Sequence, residues 1–344
     1  MPLAVLIIIY VVLAGGLVFL SDKLGNYIDL LDKKTKISGA FLGGVLLAAV
    51  TSLPELFTSI SATLFVHEKD LVIGNVLGSN LFNLSVLGFC LLVFFKLFSK
   101  SKIDYKSHFS TLIGVSIIYV LIFYGLFVPS QYQPVIGPIN LICPLALVVY
   151  GLVIYLQPKS EEKEEDDEEE EEEEKEEVSP LTVKQILIRF SICAIVLVGV
   201  SISITYVTDA LGEKLNLSAT VAGALFLAIA TSLPELVSCF TLCRKGNFNA
   251  ALGDIFGSCF FNFCIIGIGE FLSYDGSLIT QHDNEAINMA IIAFIVIIIS
   301  FIFLVIKNIF VDKKEQEKSK TWFNVSTIVF GSLALLGYIV YLVI

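Results

Sequence analysis

Hydrophobic residues run along this chain in blocks of membrane-crossing length, parted by short polar stretches. A helix needs about 20 mostly apolar residues to traverse a hydrocarbon core. Ten blocks qualify: roughly 3–20, 37–65, 70–95, 108–128, 137–156, 182–208, 217–243, 248–273, 286–306 and 322–344. The pattern predicts an all-α membrane protein of ten transmembrane helices. Two blocks are interrupted in the same way. "LAAVTSLPELFTS" from Leu47 and "LAIATSLPELVSC" from Leu227 share the hexamer TSLPEL, 180 residues apart, and each sets a proline and a glutamate inside an apolar run.

Composition agrees with the pattern. A chain of 344 residues with 56% hydrophobic residues, 27 Phe and a mean hydropathy of +0.85 has too much apolar surface for a soluble domain. Its bulk partner is the lipid bilayer, and nothing in it suggests a nucleic-acid partner. The net charge of −11 is local: residues 161–177 hold 15 acids and two lysines, leaving 20 basic and 18 acidic residues elsewhere. Such a run repels itself and buries nothing, so it predicts a solvated linker. The expected organisation is a first five-helix repeat over 1–157, an acidic cytoplasmic linker over 158–180 and a second five-helix repeat over 181–344.

Lysine and arginine test the orientation, because basic loops stay cytoplasmic. With both termini extracytoplasmic, the inside loops are 21–36, 96–107, 157–189, 244–247 and 307–321, and they hold 20 of the 22 basic residues. Only Lys69 and Lys214 fall outside. The apolar start, without a basic leader, is read as the first span rather than a cleaved signal.

The interrupted blocks belong to a longer duplication. Gly43–Leu56 and Gly223–Leu236 agree at nine of fourteen positions, and "GNVLGSNLFNLSVLG" from Gly74 matches "GDIFGSCFFNFCIIG" from Gly253 after a one-residue slip. Five spans per half make the second copy enter the membrane inverted, a plan of secondary transporters with their site at the midplane. Pro54 has no N–H for the carbonyl of Val50, and Pro234 none for that of Ala230, so both helices break. Thr51, Ser52 and Glu55, with Thr231, Ser232 and Glu235, gather carbonyls, hydroxyls and a carboxylate on one turn. Ser79 and Asn83, like Ser258 and Asn262, lie four residues apart on one face and add neutral oxygens. Glycines 74, 78, 88, 253, 257 and 267 suit close helix approach. Two carboxylates meeting across the pseudo-twofold form an all-oxygen site for hard cations. Unfilled, they would repel, so the site takes one divalent ion, several monovalent ions or protons.

At these residues the sequence resembles the sodium/calcium exchangers of the calcium/cation antiporter superfamily, over about 50 residues in each half (α1 motif 43–88, α2 motif 223–267). The resemblance implies that Glu55 and Glu235 ligate calcium with the main-chain carbonyls of Thr51 and Thr231. Sodium sites would add the carbonyls of Ala48 and Ala228, the hydroxyls of Ser52, Ser232, Ser79 and Ser258, and the side chains of Asn83 and Asn262. It implies exchange of calcium for sodium by alternating access in a multi-pass protein of the plasma membrane, with no cofactor beyond the transported ions. Proton coupling is disfavoured because such members carry a GNxxE-type motif. Potassium dependence is disfavoured because Asn262 stands where those members tend to have aspartate. A cation channel is the alternative class, although pores usually arise from rings of subunits.

Some residues fit less directly. Asp254 stands where the first copy has Asn75 and is expected near the cytoplasmic mouth, there either drawing in calcium or simply hydrated. Cys259 replaces an asparagine and reads as a packing change. Glu270 reads as a solvated or interfacial acid. Cys239 and Cys243, one turn apart with no histidine near, read as small hydrophobes rather than as a soft-metal site. No enzyme is expected: intramembrane aspartyl-protease motifs are out of order, and serine or zinc proteases would need a base or histidine ligands inside the spans.

Overall fold

A computed structural model describes residues 1–35, 48–99, 101, 103–156, 181–274, 276–279, 284–311 and 317–343. The acidic linker and the Gly43–Leu47 start of the first motif lie outside the described residues. The fold is all-helical. In chain order the helices are α1 (Leu3–Thr35), α2 (Ala48–Val66), α3 (Lys69–Val93), α4 (Tyr105–Phe127), α5 (Ile142–Leu156), α6 (Val183–Leu215), α7 (Ala219–Thr231 and Leu233–Lys245), α8 (Phe248–Leu272), α9 (Asn284–Val311) and α10 (Glu317–Val343). Among the described residues eight are long and apolar enough to cross a membrane, and the two parts of α7 make a ninth candidate, bent by 47°.

Two of the predicted boundaries are corrected. The first helix does not stop near residue 20 but continues through the polar stretch to Thr35. The fifth apolar block does not begin as helix: Val135–Ile136 pairs antiparallel with Ile139–Asn140 around Gly137 (φ +61°), and only the 15 residues Ile142–Leu156 are helical. At about 1.5 Å per residue α5 spans about 22 Å, short of the usual hydrocarbon thickness of about 30 Å.

Burial grades the helices. α3 and α8 are the most enclosed, with 78% and 72% of their most apolar windows buried, and they form the centre with α2 and α7 around them. α1 and α6 pair at the edge through Leu17, Leu24, Leu197 and Ile204, and turn Ile8, Val12 and Ile195 outward as a lipid-facing surface suits. Small residues set the central approach. A side chain at Gly74 would strike the carbonyl of Thr220, and one at Gly223 would come within 2.7 Å of the carbonyl of Leu71. Gly253, the counterpart of Gly74, comes within 4.0 Å of His108, and Ala40 and Gly44, which match Thr220 and Ala224, lie outside the described residues.

Both interrupted helices also contain a π-helical turn, Ala62–Val66 in α2 and Gly223–Leu227 in α7. Such turns loosen the regular ladder and recur at functional sites. Tyrosines serve their carbonyls: Tyr206 donates to Phe65 O at 2.9 Å, Tyr10 to Phe226 O at 2.8 Å and Tyr338 to Ala224 O at 3.0 Å. Lys307, assigned to an inside loop from sequence, is instead fully buried in α9. Its Nζ sits 3.7 Å from the Phe98 ring centroid and donates to the carbonyls of Phe98 and Ser101.

Candidate functional site

The two prolines act as the chemistry of the imino ring requires. Ser52 (φ −85°, ψ 8°) and Ser232 (φ −91°, ψ 9°) leave the helical region in nearly the same way, and Leu53 and Leu233 restart helices with proline in the first turn. Helix resumes at once on the far side, which brings Glu55 and Glu235 into the first turn of a new helix, where amide dipoles favour negative charge. Both glutamates are completely buried.

The hydrogen bonds cross between halves. Ser232 Oγ donates to Glu55 Oε1 at 2.8 Å, and Ser52 Oγ donates to Glu235 Oε1 at 3.1 Å. Ser258 Oγ donates to the same Glu235 oxygen at 3.0 Å and lies 2.6 Å from Ser52 Oγ. Those three oxygens make three close contacts but own two hydroxyl protons. One contact is therefore oxygen against oxygen with nothing positive between, which costs energy unless a proton or cation is nearby. Asn83 Nδ2 adds a donor to Ser258 Oγ at 3.2 Å.

The remaining oxygens point to a cation rather than to an internal network. Glu55 Oε2, Glu235 Oε2, Ser79 Oγ, Asn83 Oδ1 and Asn262 Oδ1 are all buried without a hydrogen-bond partner among the described residues. Two carboxylate, one hydroxyl and two amide oxygens form a hard, anionic donor set of the kind that calcium and sodium take. Native interiors rarely leave so many polar atoms unserved in one place.

Most of the sequence-predicted residues therefore meet. Glu55, Glu235, Ser52, Ser232, Ser79, Ser258 and Asn83 are joined in one buried region, and Asn262, equally buried, bonds Asn80. Thr51 and Thr231 flank it, with Thr51 Oγ1 donating to Ala48 O at 3.1 Å and Thr231 Oγ1 to Ala228 O at 3.3 Å. The carbonyls of Ala48 and Ala228 also accept the amides of Ser52 and Ser232, so each already takes two hydrogen bonds.

Two sequence readings change. Asp254 is not at a hydrated mouth but fully buried in α8, beside the hydroxyls of Ser238 and Thr51 and within electrostatic reach of Glu235, with neither oxygen in a hydrogen bond. Glu270 is not solvated: 1% exposed, it accepts from Asn140 N at 2.6 Å, Leu278 N at 2.8 Å and Ser277 Oγ at 3.1 Å, and so fastens the hairpin before α5 to the loop after α8. Cys259 does pack, its thiol facing Asn80 O at 3.7 Å.

Sequence reasoning misses Asn75 and Asn80 as site residues. Asn75 Nδ2 donates to Thr58 Oγ1 at 3.1 Å, Ser59 Oγ at 3.0 Å and Glu55 O at 3.4 Å, holding the α2 break against α3. Asn80 Oδ1 accepts from Asn262 Nδ2 at 2.9 Å and so turns the Asn262 oxygen free. Both stand in the GNxxGSN motif, the only signal that could have found them.

Known proteins frame this geometry. The family model described as "Sodium/calcium exchanger protein" matches residues 4–158 and 186–344. Inner membrane protein YrbG of Escherichia coli (strain K12) is 26% identical over 262 residues, covering 72% of this chain and 74% of that protein. Sodium/calcium exchanger MaX1 of Methanosarcina acetivorans is 38% identical over 81 residues, a match spanning 23% of each chain. Among solved structures, the sodium-calcium exchanger NCX_Mj is similar with a TM-score of 0.59 at 18% identity, covering 99% of both chains. The H+/Ca2+ exchanger CAX is similar with a TM-score of 0.61 at 12% identity, covering 98% of this chain and 89% of that one. At such identities the structural likeness speaks for the fold alone. The family match spans nearly the whole chain, and the chain belongs to the sodium/calcium exchanger protein family: it is a membrane ion exchanger, not an enzyme.

Proposed function

We propose that this protein exchanges calcium for sodium across a cell membrane by alternating access at the Glu55–Glu235 site. The observation that carries the reading is the buried carboxylate pair whose hydrogen bonds cross between the two halves while one oxygen of each stays unserved. Calcium neutralises both charges at once; sodium ions do so in pairs. Neither cargo tolerates the other on the same oxygens, so the site passes from one filling to the other, and that exclusion is what couples the fluxes. Glu55 and Glu235 carry calcium with the carbonyls of Thr51 and Thr231. The Ala48 and Ala228 carbonyls, the hydroxyls of Ser52, Ser232, Ser79 and Ser258, and the oxygens of Asn83 and Asn262 serve sodium. Oppositely inserted five-helix halves and ten crossings, α5 included, supply the frame, with both termini extracytoplasmic and the acidic linker in the cytoplasm. Gathering of basic residues in the inside loops supports that orientation. Under an inward sodium gradient calcium leaves the cytosol.

Calcium-45 flux in proteoliposomes under imposed sodium, potassium and proton gradients, applied in turn, tests the coupling. Saturable calcium movement only against an opposing sodium gradient is expected. Flux driven by potassium or protons would reassign the coupling ion, and flux without any gradient would point to a channel. Glu55→Gln or Glu235→Gln should lower exchange at least about 100-fold with folding kept, since removing one charge leaves the other buried beside a divalent ion it cannot neutralise. Full activity in either variant refutes the site.

A further inference from the structure

Away from the carboxylates, α3 and α7 meet again through sulfur. Cys90 of α3 faces Cys239 and Cys243 of α7, all three fully buried, with their Sγ atoms within 4.8 Å of one another. Cys239 and Cys243 come together because they are one helical turn apart; Cys90, from the other half of the chain, completes the triangle. None of the three is in a disulfide.

Packing does not demand these thiols. With the repeats superposed by sequence, the matching positions in the first-half helix are Ser59 and Thr63, and the position matching Cys90 is Gly269. A Cβ on Gly269 would stand 3.8 Å from Thr63 Oγ1, so the same meeting place exists in the other half, without sulfur. One half has three thiols where the other has two hydroxyls and a glycine.

We propose that Cys90, Cys239 and Cys243 form a trigonal site for a soft d10 cation of the cuprous class, and that an ion held there pins α7 to α3 and restrains exchange. Metal–thiolate bonds of about 2.3 Å around one ion put the sulfurs about 4 Å apart, which the observed spacing admits. Sulfur donors select soft ions and reject calcium and sodium, so the site does not compete with the cargo. Zinc closes its shell with four ligands and finds no fourth His, Cys, Asp or Glu in this cluster among the described residues, whereas cuprous copper is content with three. Binding releases thiol protons and leaves negative charge, which Arg244 and Lys245, exposed at the adjoining end of α7, offset. The same end gives the ion its way in, Cys243 lying two residues from the helix terminus. Glu235 is one turn from Cys239, so fixing Cys239 to α3 fixes the carboxylate against the helix of Ser79 and Asn83. That consequence rests on the exchange reading; the binding itself does not.

Purified full-length protein, kept reduced and free of oxygen, is titrated with cuprous ion against a chromophoric competing chelator while near-ultraviolet thiolate-to-metal absorption is followed. One equivalent is expected for the wild type and for Cys193→Ser, a thiol outside the cluster. Cys90→Ser should weaken binding by more than about 100-fold, because losing even an outer partner of a metal ligand costs about 10–100-fold. No stoichiometric binding by the wild type, or binding unchanged in Cys90→Ser, overturns the site. Calcium flux of the same preparations, loaded and unloaded, should fall on loading in the wild type and in Cys193→Ser but not in Cys90→Ser; undiminished flux from loaded wild-type protein overturns the restraint. Protein that moves no calcium in any state would defeat the exchange reading while the titration still decides the metal site.

Discussion

Asn75 and Asp254 occupy matching places in the two repeats, and the difference between an amide and a carboxylate decides what each does. The amide of Asn75 donates to two hydroxyls and a main-chain carbonyl at the α2 break. Asp254 lacks the amide N–H that does this, and its oxygens, beside the hydroxyls of Ser238 and Thr51, lie within reach of Glu235. A buried carboxyl beside the pair is costly for the protein, and its oxygens are favourable for a divalent ion. Asp254→Asn should therefore raise thermal stability while weakening calcium binding by about tenfold, or about 1.4 kcal/mol, as measured by the half-saturating calcium in flux assays. An unchanged half-saturation point would remove Asp254 from the ion's surroundings. Glu270 gives the opposite case. Its carboxylate takes three hydrogen bonds and none involves a site residue. Glu270→Gln sets an NH2 group against N–H donors, so a loss of about 2–3 kcal/mol in stability is expected with calcium affinity kept. Thermal unfolding in detergent checks it, and an unshifted transition would contradict the role.

At the scale of helices, the crossing of α3 and α7 sets how closely the two halves approach. Gly74→Ala drives a methyl into the Thr220 carbonyl, and Gly223→Ala one toward Leu71 O, so each should destabilise by about 1–3 kcal/mol through overpacking. Gly151→Ala and Gly199→Ala, with nothing within 4 Å, serve as controls expected to be neutral or slightly stabilising. Equal transition temperatures in all four would show that the crossing yields. The glycine motif announces close packing in both repeats, yet Gly88 packs on Gly331 of α10 and its counterpart Gly267 on Cys143 of α5, because a spacing gives the face of a helix and not the identity of its neighbour. The same limit underlies the other differences. Hydropathy marks where lipid ends rather than where helix ends, which hides the extension of α1 to Thr35. A continuous apolar block hides the turn before α5, although Gly137 and Pro138 were available as signals. Glu55 and Glu235 were legible because an ionisable group within a membrane span is too costly to keep unless its charge is used. The depth of Asp254 and the approach of Cys90 to Cys239 were not, since both depend on how helices from different halves lie together.

For the molecule as a whole, the charge of the site fixes what moves across the field. Two ionised carboxylates balance one calcium ion or two sodium ions, and in either filling the carrier crosses neutral. On the sodium coupling proposed above, a third sodium on the hydroxyl and amide oxygens of Ser79, Asn83 and Asn262, rather than on a further carboxylate, would leave one positive charge unbalanced, so that the sodium-loaded passage alone would feel the voltage. A potential of 100 mV then contributes about 2.3 kcal/mol per cycle, enough to change the attainable calcium ratio about 50-fold. In proteoliposomes clamped by a potassium diffusion potential, sodium-driven calcium accumulation should shift by that order when the potential is changed by 100 mV. Accumulation indifferent to voltage would mean two sodium ions per calcium. It would also mean that the neutral oxygens around the carboxylates shape the site without holding an ion of their own. The Asn83→Ala variant connects the two outcomes: losing its amide oxygen should abolish the voltage dependence before it abolishes exchange, because the third sodium has lost its ligand while the carboxylate pair is intact.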